Sequence, residues 1–136
     1  MIHTITASHT LSMGHRLPSY NGICSSPHGH NITVTAEIRQ QTFLDFKTVS
    51  AALGEILADF DHAMVLVQHD IVADFLVLHG FRVVLFNVEP STEVLAQHVF
   101  NELRRTFPSI QRVTVQETAK YTASVTGLDE SVERVL

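Results

Sequence analysis

Alternation of apolar and polar side chains is clearest between residues 30 and 38. Polar side chains separate the apolar ones, which occupy every second position. The apolar residues are Ile32, Val34, Ala36 and Ile38. Because the side chains of a strand point to opposite faces in turn, this pattern predicts a half-buried strand. If the extended backbone begins at Pro27, His28 and His30 point to the same side.

Three further stretches are predicted to be strands: 2–11, 81–88 and 112–117. In the last of them Glu117 follows Val113 and Val115 on one face, which places a carboxylate on the apolar side. Burying an unpaired charge is costly, so an inward Glu117 requires a cationic or multi-donor partner, such as the edge of an aminopyrimidinone ring. The alternative is a residue at the end of the strand that reaches solvent.

Helical spacing of apolar residues follows Asp45, which fits the N-cap position. The apolar positions of this first helix are Phe46, Val49, Leu53, Ile56, Leu57 and Phe60. A second helix is predicted to begin at Pro90-Ser91-Thr92-Glu93 and to end at Pro108. Its apolar stripe comprises Leu95, Val99, Leu103 and Phe107. A short helix is predicted within 69–79, and the polar tail from Thr126 is predicted to be frayed or a short last helix.

These elements predict one α+β domain spanning residues 1–136, with a four-stranded antiparallel sheet and two main helices on one face. The unpaired outer strands of such a sheet favour pairing with another copy, and therefore an oligomer. The net charge of −5 argues against binding to nucleic acid. No apolar run approaches the roughly 20 residues of a membrane span. A single cysteine and the lack of a signal-peptide pattern predict a cytoplasmic protein.

Candidate metal ligands are concentrated between positions 15 and 30. His15, His28 and His30 offer three neutral nitrogens, which hold zinc and leave a fourth position open for chemistry. His9 is an alternative third ligand. The competing interpretation makes His28 and His30 polar residues of a surface loop.

Cys24 lies in the polar loop within this segment and is the only cysteine of the chain. A nearby metal ion favours its thiolate, which would act as a nucleophile or base. Alternatively, Cys24 is a fourth ligand that closes the site, or a small buried residue. Asp61-His62 form a possible proton relay. They equally fit a helix end at which the histidine binds the last carbonyls.

Together these residues resemble the 6-pyruvoyl-tetrahydropterin synthase / 6-carboxy-tetrahydropterin synthase family. The resemblance extends from about Leu11 to Thr118 and rests on motifs in a fixed order: His15-Arg16-Leu17, Cys24-x3-His28-Gly29-His30, Asp45-Phe46, Asp61-His62, Pro90-Ser91-Thr92-Glu93 and Glu117-Thr118. It implies the tunnelling fold, in which subunits join through strand edges into a trimeric barrel and two trimers stack into a hexamer. Active sites then lie at subunit interfaces.

The resemblance also assigns roles to individual residues. It implies that His15, His28 and His30 bind Zn²⁺, and that Cys24 is the catalytic base or acid, with Asp61 and His62 as its relay. Glu117 would anchor the pterin, with Thr92 and Glu93 lining its pocket. Two departures are the pair Met13-Gly14 before His15 and a longer segment over 67–82. Arg16 and Lys47 are cations near the predicted site, without an assigned role.

The implied reaction converts 7,8-dihydroneopterin triphosphate to 6-carboxy-tetrahydropterin, releasing triphosphate and acetaldehyde, on the route to deazaguanine nucleosides such as queuosine. The short Cys-x3-His spacing resembles the branch that forms this product. Three alternatives stay open: the pyruvoyl-forming reaction, a pterin- or metal-binding protein without turnover, and a hydrolase built on Cys24 and His62.

Overall fold

The computed structural model describes residues 1–127, which form one mixed sheet and three α-helices. The strands are β1 (His3–His15), β2 (His28–Gln40), β3 (Ala63–Val67), β4 (Val83–Phe86), β5 (Ile110–Gln116) and β6 (Thr122–Thr126). The helices are α1 (Phe46–Leu57), α2 (Ile71–Leu78) and α3 (Thr92–Thr106). A single turn of 3-10 helix, Ile23–Ser25, interrupts the loop between β1 and β2.

The sheet has the strand order β4-β3-β1-β2-β5-β6. β1, β2, β5 and β6 pair antiparallel, and β1 and β2 form a long hairpin in which His15 lies opposite His28. β3 runs parallel to β1 but pairs only with Met13–His15, and β4 runs parallel to β3. Within residues 1–127, the outer edge of β1 from His3 to Ser12 therefore has no neighbouring strand.

The α+β class is confirmed, whereas the prediction of a four-stranded antiparallel sheet is wrong because the sheet has six strands and two of its strand pairs, β1–β3 and β3–β4, are parallel. β3 lacks the alternation that identified β2, because three of its five side chains are buried. β6 alternates hydroxyl side chains with Ala123 and Val125, a pattern of only five residues that the prediction missed. The predicted short helix within 69–79 is confirmed as α2 and accounts for much of the longer segment.

Helices α1 and α3 pack on one face of the sheet and bury its apolar positions in a continuous core. Both helices begin as predicted: the Asp45 carboxylate accepts from the Lys47 N–H at 2.9 Å, and the Ser91 hydroxyl caps α3. The opposite face carries hydroxyl side chains that bond to one another between strands, as in the Thr10–Thr33 pair at 3.1 Å. The tail is predicted to start at Thr126, which instead closes β6, and residues 128–136 of it lie outside the described residues. No helix within residues 1–127 is long and apolar enough to cross a membrane.

His98 on α3 gives the fold a dependence on pH. Its ring packs against Phe60 and Phe86, with ring centroids 5.5 and 5.3 Å away. Burial lowers the pKa of His98 below its ordinary 6.5. The charge of Glu102 raises this pKa and that of Arg105 lowers it, and the effect of burial is the largest. The unfolded chain therefore takes up this proton at a higher pH than the folded chain, so stability falls as the pH drops below about 6.5.

Replacing His98 by glutamine is expected to reduce this acid sensitivity, because glutamine takes up no proton. The Tm of the wild-type protein should fall more between about pH 7 and pH 5 than that of His98→Gln. Thermal unfolding followed by circular dichroism at several pH values measures the two slopes. Equal slopes would show that His98 does not contribute.

Candidate metal centre and active site

Three histidines meet at the end of the sheet where β1 stops and β2 begins. His15 closes β1 and His28 opens β2, while His30 lies two residues further on the same face of β2. One ring nitrogen from each lies within 4.8 Å of the others. The ring centroids of His15 and His28 are 4.6 Å apart, and those of His28 and His30 are 5.0 Å apart.

Backbone carbonyls fix the orientation of two of these rings. His15 Nδ1 lies 2.9 Å from the Pro90 carbonyl oxygen, and His28 Nδ1 lies 2.8 Å from the Ser26 carbonyl oxygen. A carbonyl oxygen only accepts, so each Nδ1 carries a hydrogen, and in the neutral ring Nε2 is then the nitrogen with the lone pair. Metal-binding histidines are held in the same way by a partner on the second nitrogen. Neither of these contacts could be predicted from the amino-acid sequence, because every residue has a backbone carbonyl.

The donor set fits a divalent metal ion. Nε2 of His30 is buried without a hydrogen bond from the described residues, which is costly unless another group satisfies it. Burial lowers the pKa of His15, and the neighbouring His28 and His30 lower it further. The Pro90 carbonyl and Glu117 act in the opposite direction, but the net change is a lower pKa. The His15 ring is therefore neutral near pH 7, as a metal ligand must be. Three neutral imidazoles suit zinc.

Glu117 lies directly beside the three histidines, just past the end of β5. One carboxylate oxygen is 3.3 Å from His30 Nε2, and the other is 3.9 Å from His15 Nε2. The Thr92 hydroxyl at the start of α3 donates to the second oxygen. Thr92 and Glu117 line one small cavity with His15 and His30, whereas Glu93 is exposed and is not among the lining residues.

Cys24 is half-buried in the 3-10 turn of the loop that joins the two histidine-bearing strands. Its carbonyl oxygen accepts from the Leu17 N–H at 2.8 Å, which ties the turn to the residues following β1. The chain thus places the only cysteine on the connection between His15 and His28. Its role in catalysis stays a prediction.

Asp61 and His62 lie just before β3, at the edge of β1, where the His62 N–H donates to the Ser12 carbonyl oxygen at 2.7 Å. The Asp61 carboxylate accepts from His62 Nδ1 at 3.0 Å and from the Ser12 N–H at 3.2 Å. The pKa of Asp61 is lowered mainly by the hydrogen bond from the Ser12 N–H and further by His62. The carboxylate is therefore charged near neutral pH. His62 lines a shallow cavity with residues of β1 and β3, and none of the three clustered histidines lines it. Within the described part of one chain, this pair is not brought to the candidate metal centre.

An open groove elsewhere among the described residues contains none of the predicted site residues. It has a volume of about 900 Å³ and lies between α1, β4 and α3. The cavity beside the histidines encloses only about 10 Å³, room for roughly one water molecule. The chemistry of the side chains, and not the size of the cavity, therefore identifies the candidate site.

A twisted sheet with two helices on one face, and three histidines gathered at one end, defines a subunit of the tunnelling-fold class. The chain matches the family model described as 6-pyruvoyl tetrahydropterin synthase over residues 4–128. It therefore belongs to the 6-pyruvoyl tetrahydropterin synthase family, as the sequence motifs predicted.

Individual relatives agree with this assignment. A protein of Halobacterium salinarum, named as a probable 6-carboxy-5,6,7,8-tetrahydropterin synthase, is 34% identical over 123 residues, covering 83% of this chain and 79% of the relative. An uncharacterized protein of Wolinella succinogenes has a similar structure, with a TM-score of 0.81, 18% identity and coverage of 94% of this chain and 99% of the other. The 6-pyruvoyl tetrahydropterin synthase of Caenorhabditis elegans has a TM-score of 0.71 at 19% identity, covering 94% and 97%. These likenesses confirm the predicted tunnelling fold.

Proposed function

We propose that this protein is a zinc-dependent lyase that converts 7,8-dihydroneopterin triphosphate and one water molecule to 6-carboxy-5,6,7,8-tetrahydropterin, triphosphate and acetaldehyde. The observation that carries the proposal is the cluster of His15, His28 and His30 with Glu117 at 3.3 Å from the last of them. The name of the Halobacterium relative favours the carboxy-forming reaction. The product would enter the deazaguanine route to queuosine, and the single cysteine suits a reducing cytoplasm.

The three histidines would hold the zinc ion through their Nε2 atoms. When bound, zinc acts as a Lewis acid toward oxygen atoms of the substrate side chain. The Pro90 and Ser26 carbonyls keep the His15 and His28 rings aimed for this role, since each accepts the Nδ1 hydrogen.

Glu117 would bind the edge of the pterin ring. A carboxylate accepts two parallel N–H donors, and the ring presents adjacent N–H groups on its aminopyrimidinone side. The Thr92 hydroxyl already donates to one carboxylate oxygen and fixes its direction. Because Glu117 lies next to the histidines, a ring held there extends its side chain toward the metal position.

Replacing Glu117 by glutamine is expected to weaken pterin binding by about 10- to 100-fold, because one charge-assisted acceptor becomes an amide donor. Zinc content should be unchanged, since Glu117 is not one of the three ligands. Titration of the protein with neopterin, followed by fluorescence, measures the affinity separately from turnover. Affinity equal to that of the wild-type protein would exclude Glu117 as the anchor.

Cys24 would move the proton. Its thiolate takes a proton from a carbon of the substrate side chain, and the C–H electron pair forms a double bond as triphosphate leaves from the neighbouring carbon with its own bonding pair. Asp61 and His62 would complete the site as a second proton relay. Since neither residue lines the cavity beside the histidines and both lie at the edge of β1, we infer that they serve the site of a neighbouring subunit.

The small cavity and the free strand edges support a site between subunits. A space of about 10 Å³ does not hold a pterin, so the described residues of one chain do not enclose the ring by themselves. The outer edge of β1 and that of β6 have no neighbouring strand within residues 1–127, and they lie on opposite sides of the antiparallel strands. Such edges pair readily with other copies. We propose that three subunits close a barrel in this way and that two barrels stack into a hexamer.

Identification of the products tests the proposed function. Zinc-loaded protein is incubated with 7,8-dihydroneopterin triphosphate, and the pterin and any aldehyde are identified by mass. Acetaldehyde with 6-carboxy-tetrahydropterin is the expected result. A product that keeps the three-carbon side chain would assign the pyruvoyl-forming reaction. Absence of turnover together with pterin binding would leave a binding protein.

A further inference from the structure

Arg16, the residue after His15, connects two parts of the structure through its side chain. Its Nε donates to the Ser25 carbonyl oxygen at 2.7 Å, and its Nη1 donates to Asp70 Oδ1 at 2.7 Å. The guanidinium group thus joins the 3-10 turn that carries Cys24 to the beginning of α2. Only 18% of the Arg16 side chain is exposed, and none of the Asp70 side chain is.

Asp70 is held rigidly at its end of this connection. The same Oδ1 atom accepts from the Val72 N–H at 2.9 Å and forms the N-cap of α2. The other oxygen, Oδ2, is buried and has no hydrogen-bond partner among the described residues. A buried carboxylate requires a paired cation, and Arg16 is the cation that it contacts. The position of the guanidinium group is therefore fixed by the fold.

This connection restrains the turn that carries Cys24. Two consecutive carbonyl groups of its turn are held: that of Cys24 by the Leu17 N–H at 2.8 Å and that of Ser25 by the Arg16 side chain. The hydrogen bond from Leu17 is between backbone atoms. The bond from Arg16 to the Ser25 carbonyl is therefore the one that a side-chain substitution can remove. Its planar group has the geometry to donate in two directions at once, which a lysine ammonium on a flexible stem does not reproduce.

We propose that Arg16 and Asp70 are positioning residues that hold the Cys24 turn beside the three histidines. This inference rests on the proposed function for the role of Cys24. It also assigns Arg16 to the protein interior and not to the triphosphate, because two of its N–H groups bind Ser25 and Asp70.

Two variants and one matched control test this proposal. Arg16→Lys keeps the charge but not the two-directional donation. Asp70→Asn removes the charge and keeps a side chain that caps helices well. Asp45→Asn is the control, because Asp45 caps α1 through the same contact, to Lys47 N at 2.9 Å, and its described hydrogen bonds and ion pairs include no arginine.

In both variants we expect kcat to fall by about 10- to 100-fold, with KM changed far less, because the reacting group is displaced while the pterin site is intact. Alkylation of Cys24 by iodoacetamide, which needs no substrate, should accelerate about three-fold or more as the turn opens. Zinc content should stay equal to that of the wild-type protein, and Asp45→Asn should match the wild-type protein in all three measurements.

Wild-type alkylation rates and kcat in both variants would overturn the proposal. A rise in KM with an unchanged alkylation rate would overturn it as well and would assign Arg16 to the substrate phosphates. If Asp70→Asn fails to fold, Arg16→Lys decides the outcome. If the wild-type protein shows no turnover, the proposed function fails, and the alkylation rates still test whether Arg16 holds the turn.

Discussion

His28→Ala is expected to lose bound zinc and all measurable pterin turnover. His28 supplies one of only three nitrogens in the cluster, and its removal leaves two ligands, too few for a stable zinc site. The loss of affinity should exceed the roughly 10- to 100-fold that follows from removing an outer partner of a ligand. Metal content after dialysis, measured by mass spectrometry, and zinc titration of the stripped protein check this result.

His9→Ala is the matched control for this experiment. His9 belongs to the same strand as His15 but precedes it by six residues, about 20 Å along an extended chain. Its ring lies against Gly54 of α1 and not in the histidine cluster. The control should keep zinc and turnover. Zinc retained by His28→Ala with wild-type affinity would contradict the assignment of the cluster.

Mixing two inactive variants is expected to restore turnover. Cys24→Ala and His62→Ala should each be inactive alone, since each removes one proton-transferring group. If Cys24 and His62 reach the same site from different subunits, random mixing of the two variants rebuilds about one quarter of the sites. The two proteins are co-expressed or are unfolded and refolded together, and turnover is measured per chain.

A second mixture distinguishes this account from simple exchange of subunits. His28 and Cys24 lie on the same connection between β1 and β2, so His28→Ala mixed with Cys24→Ala should restore nothing. Turnover in this control mixture, or none in the mixture of Cys24→Ala with His62→Ala, would place the two proton-transferring groups differently from our proposal.

The part of the site carried by β2 could be predicted because its pattern is local. Alternation over 30–38 fixes the face of each side chain, and it extended correctly to His28 and His30. The contribution of His15 depends on the register of the hairpin, which sets His15 opposite His28. The resemblance to the family motif His15-Arg16-Leu17 identified His15 as the third ligand. No property of the residues near His15 specifies its pairing with His28.

The features that escaped prediction depend on contacts between distant segments. β3 is short and largely buried, so periodicity does not distinguish it from other apolar runs. Its parallel pairing with Met13–His15 brings Asp61 and His62 to the edge of β1 beside Ser12. The connection from Arg16 to Asp70 spans 54 positions. A helix N-cap signal before α2 would have identified Asp70, but not the arginine that it binds.

Zinc dependence of turnover tests the central claim most directly. The protein is stripped of metal with a chelator, divided, and assayed with 7,8-dihydroneopterin triphosphate before and after one equivalent of zinc is returned. Our account predicts no triphosphate release from the stripped protein and full recovery on adding zinc, with one zinc bound per chain. Undiminished release from the stripped protein, combined with inactivation by a thiol reagent, would contradict it and would instead indicate a hydrolase built on Cys24.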